Sequence, residues 1–187
     1  MCHFITAYVP RESDIAAVES AFDQNKFGFR LLDNLHVQRQ LDGPVIQILT
    51  TRKTCDCGTS LASVGQPLRV AAPTEREIDK LRQKGWSEWR IRRSLAQKAA
   101  SARRQEAAQK EASIHNAGSE TERWVRVIAQ ILQSRAAEWV GVLVHKYRRG
   151  LVSERIVLEA STKVRVGKLT QDTLLEMKED AMMIVRL

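Results

Sequence analysis

The sequence contains no run approaching the roughly 20 apolar residues of a membrane-spanning helix. Its N-terminus shows no basic region followed by an apolar stretch, the pattern of a secretory signal. Cysteine is scarce: Cys2, Cys55 and Cys57 are the only three in 187 residues. They lack the spacing of a disulfide framework, which excludes a stapled secreted scaffold and suits a reducing compartment. A Cys55–Cys57 bridge would close too short a loop for unstrained disulfide geometry. A soluble cytoplasmic protein with no membrane partner is therefore expected. Also missing are a glycine-rich phosphate loop, a nucleophile elbow, a metalloprotease motif and a paired-carboxylate arrangement. No residue is assigned a catalytic role, and a non-enzymatic protein is expected.

What is present is an ordinary globular composition, 43% hydrophobic, with a net charge of +8. The charge is uneven. Between Arg76 and Glu111 there are eleven Lys or Arg against five Asp or Glu, so most of the excess falls in one segment. Localised positive charge attracts an acidic partner, either a protein surface or nucleic acid.

Taken in order, Phe4–Val9 is a nearly continuous apolar and β-favouring run and reads as a buried central strand ended by Pro10. Ser13 caps a helix over 14–24 whose face carries Ile15, Val18 and Phe22. A strand over 27–32, the Asp42-Gly43-Pro44 turn and a strand from Val45 to Leu49 follow. Residues 1–57 thus form a β-α-β-β half, and 58–73 read as a linker or irregular loop. Residues 74–117 form a basic helical hairpin. Thr74 and Glu77 make a capping box, Gly85 ends the first helix, Ser87 caps the second, and Asn116-Ala117-Gly118 breaks it. In residues 118–187 Ser119 and Glu122 form another capping box. Trp124, Val127, Ile128, Ile131 and Leu132 then recur at i, i+3, i+4, i+7 and i+8, a core-facing stripe. Strands over 140–147, 155–159 and 163–166, a helix over 170–178 and a last strand over 182–185 complete the chain. The expected fold is α+β: one mixed sheet built from strands at both ends of the chain, packed by helices, with the hairpin standing outside it.

If the strands 3–9 and 45–51 pair antiparallel, Cys2 and His3 come beside Cys55 and Cys57. Three sulfurs and an imidazole are the usual complement of a structural zinc site. Gly58 eases the turn behind the second sulfur. His3 is the awkward member, because neighbours on a strand point to opposite faces. His145, in an apolar strand, reads as a core or edge histidine.

In the hairpin, Ile78, Leu81, Gly85, Ser87, Ile91 and Leu95 resemble the first two helices of the DNA-binding helix-turn-helix modules found in resolvases and related proteins. Apart from that resemblance, the charge of Arg90, Arg92, Arg93, Arg103 and Arg104 suits phosphate contacts without sequence specificity. After Leu95, however, Ala96–Ala100 simply continue the helix, so no separate recognition helix follows. Met1-Cys2 is superficially similar to proteins that use a terminal cysteine as nucleophile, amidotransferases and abasic-DNA-trapping proteins among them, but those generally put glycine next, where His3 stands here. Trp86 and Trp89 flank the hairpin turn beside the arginines, a combination that makes interface anchors. The function expected is docking of an acidic protein partner by these residues, as an inhibitor or toxin-neutralising immunity protein does. Nucleic-acid binding by the same hairpin, or chemistry at Cys2 or a bound metal, are the alternatives.

Overall fold

The computed structural model describes residues 1–63 and 75–187, without the side chains of 63, 75–77 and 102–118. Thr74, Glu77 as its capping partner, most of the 58–73 segment and the side chains of Arg103 and Arg104 lie outside the described residues. The chain divides into two compact units, Met1–Gly65 with Asn116–Leu187, and Gln66–His115.

The first unit is a six-stranded mixed sheet made from both ends of the chain, in the order β2-β3-β1-β4-β6-β5. Its strands are β1 (Cys2–Pro10), β2 (Arg30–Leu32), β3 (Val45–Leu49), β4 (Trp139–Tyr147), β5 (Ala160–Arg165) and β6 (Ala181–Arg186). Only β5 and β6 run parallel; the other neighbours are antiparallel. β1 is central, as its unbroken apolar run implies. It pairs with β3 from Thr6↔Leu49 to Pro10↔Val45 and with β4 from Cys2↔Tyr147 to Tyr8↔Gly141. The expected antiparallel pairing of the first and third strands is present, with Pro10 as the last residue of β1 rather than beyond it.

Period-2 alternation divides the core into two layers. Ile5, Ala7, Val9, Ile48, Val142 and Val185 face helix α1 (Ile15–Gln24) and the final turns of α5 (Glu88–Gln133). Tyr8, Val45, Leu143, Tyr147 and Met182 face the opposite layer, where Val37 of the short helix α2 (Leu35–Gln38) and Ile156 cover them. The stripe Trp124, Val127, Ile128, Ile131 and Leu132 is fully buried, as its spacing predicts. Trp124 sets its edge against Phe22 at 6.1 Å between centroids and lies against Phe27 at 4.4 Å.

Several local expectations change. Asp14 rather than Ser13 caps α1, its carboxylate accepting the Ala17 N–H at 3.1 Å; Asp and Ser are about equally good caps, so the burial of Val18 and Phe22 sets the register. The strand expected from Phe27 begins only at Arg30, because Gly28 is pressed against Thr50 and Thr51. Its N–H donates to Thr50 O at 2.7 Å, and a Cβ there would meet Thr51 O at 2.5 Å. Residues 155–159 are not a strand. Side-chain amides take the place of a ladder: Gln40 donates to Ile156 O at 2.8 Å and accepts from Leu158 N at 2.9 Å, while Asn34 donates to Glu154 O at 3.0 Å. The helix break at Asn116-Ala117-Gly118, and with it the Ser119 cap, is absent, since α5 is helical through these positions. One glycine costs a helix interior only about 1 kcal/mol, which the flanking helix formers outweigh.

Two further short helices belong to this unit. They are α3 (Ser60–Ser63), in what reads from sequence as loop, and α6 (Gln171–Leu175), capped by Thr170. In the second unit α4 (Glu75–Gln83) ends at Gly85, whose φ of +74° is the left-handed value expected of a C-terminal glycine. No helix among the described residues is long and apolar enough to cross a membrane.

Trp124→Ala should remove the centre of the helix-facing core and cost about 3–5 kcal/mol, the usual range for truncating a buried large aromatic. Urea unfolding of the full chain checks this.

Candidate metal centre

The cysteines meet because β1 is longer than its partner. From Cys2 to Ile5 it pairs with β4 on one side, but β3 has already ended at Leu49 on the other. The backbone groups along that open edge need partners, and the loop after β3 supplies each one. Thr50 N–H and hydroxyl donate to Ile5 O at 3.3 and 2.8 Å. The Asp56 carboxylate accepts the Ile5 N–H at 2.8 Å, and the Asp56 N–H donates to His3 O at 2.9 Å. The His3 N–H donates to Cys57 Sγ at 3.2 Å. Asp56 Oδ2 also accepts the Thr51 hydroxyl. Asp56 therefore faces the strand, and the residues on either side of it are the two cysteines.

The result is a cluster of Cys2, Cys55 and Cys57 whose sulfurs lie within 4.8 Å of one another. His3 stands beside it, with Nδ1 4.0 Å from Cys57 Sγ and Nε2 3.7 Å from Glu179 Oε2. The imidazole is buried, so the ring approaches the sulfurs from within the fold. The thiols are not equivalent. The Cys57 N–H holds the Cys55 thiol below its ordinary value, with further help from the Cys57 and Cys2 side chains. Burial pushes the Cys57 thiol up, and the neighbouring Cys55 adds to the rise. Three thiolates packed this closely repel one another, and a cation that binds all three removes the repulsion.

Two acids that sequence reasoning passed over belong to the surroundings. Burial raises the Asp56 carboxyl above its ordinary value against the pull of Thr51 and the Ile5 N–H. Burial also raises Glu120, whose Oε2 accepts the Ser60 N–H at 2.8 Å. An acid between two cysteines was the available signal for Asp56; nothing local marks Glu120. A second group, His145, Glu179 and Asp180, also brings its ligand atoms within 4.8 Å. His145 is buried as expected, and its Nδ1 pairs with Asp180 Oδ1.

The hairpin residues lie in the other unit. The Arg90 guanidinium sits 4.4 Å over the Trp86 ring and that of Arg93 5.1 Å over Trp89. Trp89 is 67% exposed, while Ile91 on the opposite side of the helix is buried. Arg90, Arg92 and Arg93 are exposed. Arg82 pairs with Glu88 at 2.7 Å and Asp79 at 3.2 Å. Ser87 accepts the Arg90 N–H at 3.4 Å, the cap expected of it.

Comparison of the chain with protein-family models, with curated proteins and with solved structures returns no match.

The raised Glu120 carboxyl has a consequence for stability. A carboxyl whose value rises on folding favours its protonated form in the fold. Its contribution is present below the ordinary value of 4.5 and is lost as pH rises through the higher folded value. Glu120→Gln keeps an oxygen for the Ser60 N–H without the charge. The melting temperature of the wild type should therefore fall relative to this variant as pH rises from the acid range towards neutrality, as paired melting curves would record.

Proposed function

We propose that this chain is a non-enzymatic binding protein stabilised by a zinc ion, held by Cys2, Cys55 and Cys57 with His3 as the fourth ligand. The observation that supports the ion is the gathering of three sulfurs within 4.8 Å at the one place where β1 has an open edge. Zinc–sulfur bonds of about 2.3 Å in a tetrahedron separate sulfurs by roughly 3.8 Å, so a modest contraction closes the site. The imidazole is the fourth donor at hand: its Nδ1 lies 4.0 Å from Cys57 Sγ although not within 4.8 Å of all three sulfurs, so the ring has to move in to join them, and a carboxylate, Glu179, lies 3.7 Å from the other ring nitrogen. A carboxylate in that position fixes ring orientation and raises ligand basicity. Four protein ligands leave no position for a reacting water, so the ion is structural, tying the start of β1 to the loop that follows β3.

Full-length protein purified without chelator should carry close to one zinc per chain by elemental analysis, and Cys55→Ser should lose the metal and melt at a lower temperature. Metal-free wild type, or a Cys55→Ser protein that keeps its zinc, refutes the centre.

The binding role rests on the second unit. An exposed tryptophan stacked under an arginine, with Arg90 and Arg92 beside it, presents a flat apolar anchor within a positive field. That combination suits an acidic protein surface, which gains both ring burial and charge pairing. An inhibitor or immunity protein is one use of such a face. The Arg92→Glu, Arg93→Glu double variant should keep its melting temperature within about 2 °C, as exposed positions do. It should lose retention on an immobilised acidic polypeptide, and Trp89→Ala should weaken retention too, which charge attraction alone does not require. Tight duplex DNA binding with a steep salt dependence, and no retention on the polypeptide, would transfer the face to nucleic acid.

A further inference from the structure

Beside the cysteine loop, within the first unit, lies a cavity of about 330 Å³. Ile5, Phe27 and Trp124 line it with buried apolar surface. Around them stand four cationic side chains: Lys26, Arg52 and Lys53, all exposed, and the half-buried Arg123. Asp56 and Glu120 also reach the cavity, but both are engaged in holding backbone N–H groups, of Ile5 and Ser60. Arg52 is committed as well, to Phe27 O at 2.8 Å and Asp23 Oδ1 at 2.6 Å. Arg123 lies 5.3 Å over the Phe27 ring and its Nε–H donates to Ser119 O at 3.3 Å, which leaves its terminal nitrogens for a ligand. Lys26 and Lys53 form no ion pair among the described residues.

Lys26 is also conformationally out of place. Helix α1 ends in a double hydrogen bond, Lys26 N–H to Asp23 O at 2.9 Å and Phe27 N–H to Phe22 O at 2.9 Å. That turn puts Lys26 at a φ of +60°. Glycine is the usual occupant, because a Cβ is disfavoured there. This chain carries a lysine instead, on the rim of the cavity. Strained residues collect where a site needs a particular side chain.

We propose that the cavity binds a small phosphate-bearing molecule of at most about mononucleotide size, its phosphate held by Lys26, Lys53 and Arg123 and its body against the apolar wall. Two ammonium groups and a guanidinium offer many charged donors, which suits a group with three acceptor oxygens better than one with two. The volume lies at the small end of ligand sites and leaves no room for a polymer. Cys55 lines the same cavity, so the state of the sulfur cluster is followed alongside phosphate binding.

Isothermal titration of the full chain with inorganic phosphate and with adenosine monophosphate tests it, with metal content measured on the same samples. The nucleotide should bind saturably and more tightly than phosphate alone. Lys53→Ala and Lys26→Gly should each weaken it about tenfold, a loss comparable to one charge-assisted contact. Lys26→Gly should at the same time melt about 2 °C higher, because it relieves the backbone strain. Weaker binding in a more stable protein cannot be ascribed to unfolding. Absence of saturable heat from either probe at about 10 mM overturns the proposal, as does unchanged affinity in both variants. A single-stranded oligonucleotide that binds about 100-fold more tightly than the mononucleotide, and loses that binding in the same variants, makes the occupant nucleic acid and overturns the small-ligand assignment.

Discussion

A central strand must have both edges paired, and β1 is four residues too long for its neighbour. Between Cys2 and Ile5 the β3 edge is absent, and an unpaired row of buried backbone groups would be costly. The loop 50–57 resolves this with a mixture of backbone, carboxylate, hydroxyl and sulfur partners. Asp56 is the pivot. Its side chain and its own N–H both bind β1, and the buried carboxylate is kept by the two hydrogen bonds it accepts, from the Ile5 N–H and the Thr51 hydroxyl. Because Asp56 turns inward, Cys55 and Cys57 flank it beside Cys2. The convergence of the cysteines is a product of strand pairing.

The same loop forms one wall of the cavity. Cys55 and Asp56 line it alongside Arg52 and Lys53, opposite Arg123 and Trp124 of the last turns of α5. Anything that tightens the sulfur cluster therefore also fixes the two basic residues that precede it. Phe27, which also lines the cavity, is followed by Gly28, whose lack of a side chain lets the chain after α1 close on Thr50 and Thr51. Cysteine cluster and cavity are neighbours through this one segment, and Cys55 belongs to both.

On the other face of the sheet the fold uses side-chain amides as structural ties. Asn34 and Gln40 hold the backbone of 151–158, so that Ile156 covers Tyr8 and Tyr147 without a further strand. Asn34 is itself held by Gln47 of β3, which accepts its N–H at 3.1 Å. The edge strand β5 then needs only its parallel partner β6, and its exposed Ser161, Thr162 and Lys163 leave the edge polar.

The sequence by itself determined what repeats along the chain. Nearly continuous apolar runs in β1, β4 and β6 and period 3.6 from Trp124 to Leu132 name the core, because hydrophobic patterning is local information. Gly85 and Ser87 likewise mark the hairpin turn, and composition alone locates its positive charge. The pairing of β1 with β3, and thus the meeting of Cys2 with Cys55 and Cys57, was legible because antiparallel order follows from few plausible connections. What only the tertiary structure decided involves partners far apart in sequence. Gln40 ends a strand pattern at 155–159 from more than a hundred residues away. Glu179 approaches His3 across the sheet, and Glu120 and Arg123 reach the loop of Asp56 from another element. Lys26 reads in sequence as an ordinary surface lysine; its left-handed backbone and its place on a cavity rim exist only once α1 has been packed and turned. Such contacts are selected by the whole fold's burial and hydrogen bonding, which no window of neighbouring residues contains.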